Sequence, residues 1–263
     1  MTPTTNVETV DAATAAAWLE RNSRNRNLQR NLVKQYARDM QAGRWLFTGE
    51  PVKFSAGGDL LDGQHRLAAI VEADVALPVA VVRGLDPEAQ MAMDTGRKRS
   101  AGDALALRGE RFSNQLAAVT RLVLNEGWER NYRATDQEVL AAVEADPSIR
   151  IIVAEVMPPL RLTALATFSP LAYAYWRLDQ IDSSDAAKFF DALSTLANLP
   201  EGSPIAALHK RLSSHVRGRN GGVYVREVLA YIFTAWNAWR KDETRALVKL
   251  AYVDGKVSVP RPR

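Results

Sequence analysis

The residues best suited to chemistry in this 263-residue chain stand together in Leu60-Leu61-Asp62-Gly63-Gln64-His65-Arg66-Leu67. The two leucines read as a strand, Asp-Gly as a tight turn, and the apolar spacing beyond it as a helix. A helix that opens this way aims its first backbone amides outward. Its dipole adds partial positive charge at the same end, so a phosphate is matched to it. Gly63 allows close backbone approach, and Arg66 offers a forked pair to phosphate oxygens. His65 is able to donate a hydrogen bond or move a proton near neutral pH. Asp62 is able to cap the helix or to help hold a hydrated Mg2+ ion with the phosphates. His65, Asp62 and Arg66 are therefore the expected catalytic residues. An ordinary Asp-capped turn with a surface His and Arg accounts for the same residues equally well.

A second cluster, Met93-Asp94-Thr95-Gly96-Arg97-Lys98-Arg99-Ser100, sets three cations beside a glycine at the expected start of another helix. Such a cluster suits phosphate contacts, with Asp94 a further metal or hydroxyl ligand. A solvated charge run is the other reading of it. Each cluster is a turn that feeds a helix and mixes Asp, Gly and Arg. Together they predict one polyphosphate pocket. Gly63, Gln64, His65 and Arg66 line one side, Asp94, Thr95, Arg97 and Arg99 the other, and Asp62 and Asp94 hold the metal through the phosphates.

The elements that must position these clusters differ between two parts of the chain. Residues 1–108 read as mixed α and β, beginning with a short helix after Asp11. A second helix is predicted from Asn27 to Ala42, with Leu28, Leu32, Val33, Tyr36 and Met40 on one face, and Gly43 suits its C-terminus. Residues 51–55 alternate as a strand. The motif helix runs from Gly63 to Ala73 with Leu67, Ile70 and Val71 inward, and Val75 to Val82 reads as a buried strand. Asp86-Pro87 looks like a cap followed by proline at the first helical position, and Ser100 to Asp103 resembles a capping box. From residue 109 to 263 helices dominate. Thr135 to Glu138 is a capping box, Ser203-Pro204 opens a helix, and residues 223–240 are apolar almost all round, as a central helix should be. The tail from Asp254 to Arg263 is expected to be basic and loosely ordered.

Composition narrows the function classes. The chain has no cysteine, which removes disulfide scaffolds, thiol chemistry and Cys-ligated metal, and its three histidines make a His-rich metal site improbable. Neither a secretory leader nor a membrane span is evident, so a cytoplasmic protein with no membrane partner is expected. Charge is uneven. Residues 109–197 carry 8 Lys and Arg against 12 Asp and Glu, whereas residues 198–263 carry 12 against 5. Positive charge concentrated in the last quarter attracts polyanions, although a solvated basic face has the same composition. Within it, Lys210, Arg211, Arg217 and Arg219 border a Gly-rich stretch and are the expected DNA-backbone contacts.

Asp62-Gly-Gln-His-Arg66 resembles the signature of the DGQHR group within the ParB/sulfiredoxin-like superfamily. Also similar are Asn25-Arg26, Tyr36-Ala-Arg-Asp-Met40, Gly43-Arg44-Trp45, Asp94-Thr-Gly-Arg97 and Trp236-Asn-Ala-Trp239-Arg240, as in phage and actinobacterial ParB-like nuclease proteins. The resemblance covers residues 8–105 well and the helical part only through its Trp-rich element. It implies an α+β fold, a ParB/sulfiredoxin-like domain followed by an all-helical one. It also implies a nucleoside triphosphate, ATP or CTP, with Gly63, His65 and Arg66 on its phosphates. ParB proteins hydrolyse CTP and load on DNA, and DndB- and DpdB-like members serve DNA modification. Gln64 stands where sulfiredoxin has its cysteine, which excludes sulfinic acid repair. ParB's Gly-Glu-Arg-Arg pattern is absent.

The leading expectation is thus a phage-associated protein that binds and hydrolyses a nucleoside triphosphate, works with DNA, and leaves room for a homodimer. A metal-dependent nuclease built on Asp62, His65 and Asp94 is one alternative. A DNA-binding adaptor without turnover is another.

Overall fold

Ahead of the first expected helix, seven residues already pair as a strand. The computed structural model describes residues 2–22, 25, 27–93, 100–126, 132–215, 222–245 and 247–263. It is a mixed α+β chain that divides into two compact units, Met1–Lys98 and Arg99–Arg263.

The first unit runs β1 (Thr4–Val10), α1 (Ala12–Leu19), α2 (Arg30–Gln41), β2 (Val52–Ser55), β3 (Leu60–Asp62), α3 (Gln64–Ala73) and β4 (Leu77–Leu85). A 3-10 turn, Pro87–Ala92, follows and is capped by Asp86. The sheet order is β1-β4-β2-β3, so α3 carries the chain from β3 across β2 to β4. β4 pairs antiparallel with β1 and parallel with β2. The opening residues, Thr-Thr-Asn-Val-Glu-Thr-Val, lack a strong alternation, and only the remote partner β4 makes a strand of them. β4 itself extends to Leu85, and only Val79 to Val81 are buried along it.

The core of this unit forms where Val33 and Met40 of α2 and Leu67 and Ile70 of α3 meet Val52, Phe54, Leu60 and Val81 of the sheet. Each such side chain contributes on the order of 1.5–3 kcal/mol by leaving water. Trp18 sets its edge on Phe54 at 5.3 Å, and the Arg83 guanidinium lies over both rings. Two expected inward residues face out. Val71 is 38% exposed because the turn of α3 presents Leu67 and Ile70 instead, and Leu28 is exposed because α2 begins only at Arg30.

The second unit begins with α4 (Ala101–Leu107), capped by Ser100 and Asp103 as expected. Ala101 and Leu105 are fully buried among Leu116, Val139 and Phe190, so α4 packs with the helices that follow it. The division of the chain therefore falls before α4, not at 108/109. Then come α5 (Ser113–Leu124) and α6 (Asp136–Ala145), the latter with its Thr135–Glu138 capping box. α7 (Ser148–Ile151) continues through one wide π turn into α8 (Met157–Leu160). α9 (Phe168–Asp179), α10 (Ser183–Thr195), α11 (Pro204–His215) and α12 (Gly222–Trp239) complete the bundle. Leu229, Ile232, Phe233 and Trp236 of α12 are wholly buried, which makes it the central helix.

This unit is not all helical. β5 (Ala251–Val253) and β6 (Lys256–Ser258) form a hairpin closed by Asp254-Gly255, both with positive φ. Asp-Gly is the preferred sequence for such a two-residue turn. Among the described residues no helix is long and apolar enough to cross a membrane.

Candidate functional site

The motif does occupy a strand–turn–helix corner. β3 ends at Asp62, Gly63 takes φ +102°, and α3 starts at Gln64. Only glycine fits this position. A Cβ there would sit 2.8 Å from Val52 Cγ2 and 3.2 Å from Val52 Cα, and the backbone is left-handed. Having no side chain, Gly63 adds no cap to the positive end of α3.

Asp62 is occupied by its neighbours. Its Oδ1 accepts the Gly63 N–H at 2.7 Å, and its Oδ2 lies 3.2 Å from Lys53 Nζ and 3.7 Å from Arg66 Nη2. Two cations against one carboxylate leave the corner with a positive surplus. Arg66 also donates to the carbonyls of Glu50 and Pro51, the latter at 2.8 Å, and so fastens the preceding loop to α3. A shallow cleft adjoins it, lined by Trp45, Phe47, Val52, Arg66, Ile70 and Val79.

Gln64 and His65 point elsewhere. Both are buried. Gln64 Oε1 accepts from Asn22 Nδ2 at 2.9 Å. Asn25 Nδ2 donates to Asn22 Oδ1 and to the Leu60 carbonyl, and Gln90 Nε2 donates to Asn25 Oδ1 and the Leu61 carbonyl. His65 Nε2 accepts the Gln29 N–H at 3.0 Å, which places the proton of the neutral ring on Nδ1. The histidine thus serves as an anchor for the start of α2. The ring is buried, unlike the surface histidine of an ordinary capped turn. The anchor also explains the late start of α2, since the backbone at Gln29 is held extended outside the helix.

The corner therefore brings Asp62 and Arg66 together at one surface and buries Gly63, Gln64 and His65. Lys53, Gln29 and Gln90 are the participants that the sequence reading missed, together with the bonds that Asn22 and Asn25 make. Their signal was polar side chains in the stretches flanking the motif, but nothing local ties Gln90 to Asn25 across 65 positions. Asp94, Thr95, Arg97 and Arg99 lie outside the described residues, as do Arg217 and Arg219. Of the remaining DNA-binding candidates, Lys210 is exposed on α11. Arg211 is drawn inward, with Nε on the Tyr231 hydroxyl at 3.0 Å and its guanidinium over that ring. Burial holds the Tyr231 phenol above the usual tyrosine range.

A metal does not fit the described residues here. Asp62 spends its oxygens on an amide and two cations, and no three His, Asp or Glu side chains converge among the described residues. An anion suits the corner better, because Lys53 and Arg66 outweigh Asp62 at the N-terminus of α3. Compared with known proteins, the chain matches no family model, no curated protein and no solved structure.

Proposed function

We propose that this chain is a nucleotide-binding protein of ParB/sulfiredoxin-like architecture that works with DNA. In this reading the triphosphate sits at the N-terminus of α3, with Lys53 and Arg66 as its cations. The observation that carries it is the pair of cations, Lys53 and Arg66, set against the single Asp62 carboxylate at the start of an α-helix, an arrangement that favours a bound anion. Gln64 and His65 build the corner and touch no substrate. Binding is the core of the reading, and turnover would need a group other than the buried His65. DNA enters through the basic final quarter of the chain.

Calorimetry with the four ribonucleoside and four deoxyribonucleoside triphosphates tests the pocket. Because Arg66 also holds two carbonyls, Lys53→Gln is the cleaner variant. Loss of one charge-assisted contact should weaken binding about tenfold, equivalent to about 1.4 kcal/mol. No saturable heat for the wild type, or equal affinity for Lys53→Gln, overturns the proposal.

A further inference from the structure

The closing segment of the chain is not loose. Arg226 Nη2 donates to the Val257 carbonyl at 3.0 Å. Eleven residues further along α12, Asn237 takes two main-chain groups of the segment. Its Nδ2 donates to the Arg261 carbonyl at 2.8 Å, and its Oδ1 accepts the Arg263 N–H at 2.9 Å. Trp236 Nε1 adds a bond to the Arg263 carbonyl at 2.8 Å.

These anchors fix the conformation. Eleven helical residues advance about 16 Å, and the four and six extended residues from Val257 to Arg261 and to Arg263 span about 13 and 20 Å, which bracket it, so the segment runs extended beside the helix. A carbonyl and an N–H two residues apart, both turned to one amide, form the hydrogen-bonding edge of an extended chain. Over the last four residues exposure alternates, with Pro260 and Pro262 half-buried and Arg261 and Arg263 exposed, while before them Val257 is buried and Val259 packs on the helical core. Alternate residues of an extended chain share a face. Arg211, Arg226, Arg240 and Arg245 are all engaged within the unit. By contrast, the guanidiniums of Arg261 and Arg263 have no hydrogen-bond or ion-pair partner among the described residues.

We propose that Arg261 and Arg263 form a two-toothed contact for the phosphodiester backbone of nucleic acid, with Asn237 and Trp236 as positioning residues. The inference rests on DNA as the working partner and is independent of the nucleotide corner. A two-residue step in an extended chain covers about 6–7 Å, comparable to the step between neighbouring phosphates on one strand. Pinning the main chain removes ordering cost that a free arginine tail would carry on binding. A nucleic-acid backbone is favoured over a lipid surface because two guanidiniums held at a fixed spacing match a regular phosphate step, which a fluid lipid surface does not present.

The test is fluorescence anisotropy with a short duplex of arbitrary sequence, across a salt series, using the full chain. Arg261→Gln/Arg263→Gln changes only exposed side chains, so it keeps the melting temperature. Its affinity should fall about tenfold at low salt, and the slope of log K against log salt should lessen by about two. Asn237→Ala retains both charges and releases their support; it should weaken binding about threefold with the slope nearly kept. An unchanged slope in the double variant overturns the two-arginine contact while leaving DNA binding in place. Failure of the wild type to bind duplex overturns the DNA reading itself. Arginine-dependent binding to anionic phosphatidylserine vesicles without duplex binding also overturns the proposal. Nucleotide calorimetry is unaffected in all three cases.

Discussion

His65 Nε2 accepts the backbone N–H of Gln29 at 3.0 Å, a bond that joins the first turn of α3 to the residue before α2. A side chain expected to meet a ligand instead sets where a helix begins. Replacing it with alanine would strand a part-buried donor and leave a cavity. His65→Ala should therefore cost about 2–4 kcal/mol of unfolding free energy. Urea denaturation measures this, and a change below about 0.5 kcal/mol would show that the bond is dispensable.

Gly63 faces Val52 with no space between them. Gly63→Ala must both hold a positive φ and push a methyl into Val52, at a cost of about 2–4 kcal/mol. Shrinking the neighbour should recover part of this, so Gly63→Ala/Val52→Ala should be less destabilised than the two single changes together. Thermal melting of the four proteins closes the cycle, and strict additivity would mean that the two sites do not meet.

Asp62 separates an anion site from a metal site. If phosphate binds beside Lys53 and Arg66, removing the carboxylate charge removes a repulsion. Asp62→Asn should then tighten nucleotide binding about three- to tenfold without added Mg2+. A metal-centred reaction demands the opposite sign. Titration of the variant with the preferred triphosphate, with and without Mg2+, decides between them.

Glu8 joins β1 to β4 through Arg83, whose hydrogen bonds hold the Glu8 carboxyl below its ordinary range. A depressed acid stabilises the fold at pH values above the unfolded-state pKa, and that contribution is lost as pH falls through the folded value. Both side chains are about a third exposed, so the effect is at most about 1 kcal/mol. Glu8→Gln should be less stable than wild type at about pH 7 and equal to it at about pH 2–3. A difference that persists in acid would assign the pair's role to packing alone.

Local chemistry made much of the fold legible. Ser100 with Asp103, Thr135 with Glu138 and Asp86 before Pro87 cap their elements as their sequences announce, because a cap is a bond between residues two or three positions apart. The same holds for the strand–Gly63–helix corner and for the apolar α12. β1 was not legible, since its partners lie 67 to 79 positions away and its own alternation is weak. The closing segment was hidden for a similar reason: Pro-Arg-Pro-Arg looks like a tail until Asn237 and Trp236 are seen to hold it.

By itself, then, the amino-acid order determined which residues turn, cap and start helices, and that one glycine corner carries the densest polar chemistry in the first unit. Only tertiary structure decided how those polar groups are used. Asp62 and Arg66 reach a common surface while Gln64 and His65 are drawn into bonds with residues 36 and 42 positions away. Successive residues on a helix point about 100° apart. Which of those directions meets solvent and which meets protein depends on where α2 and the preceding loop are packed, and no short stretch of sequence encodes that.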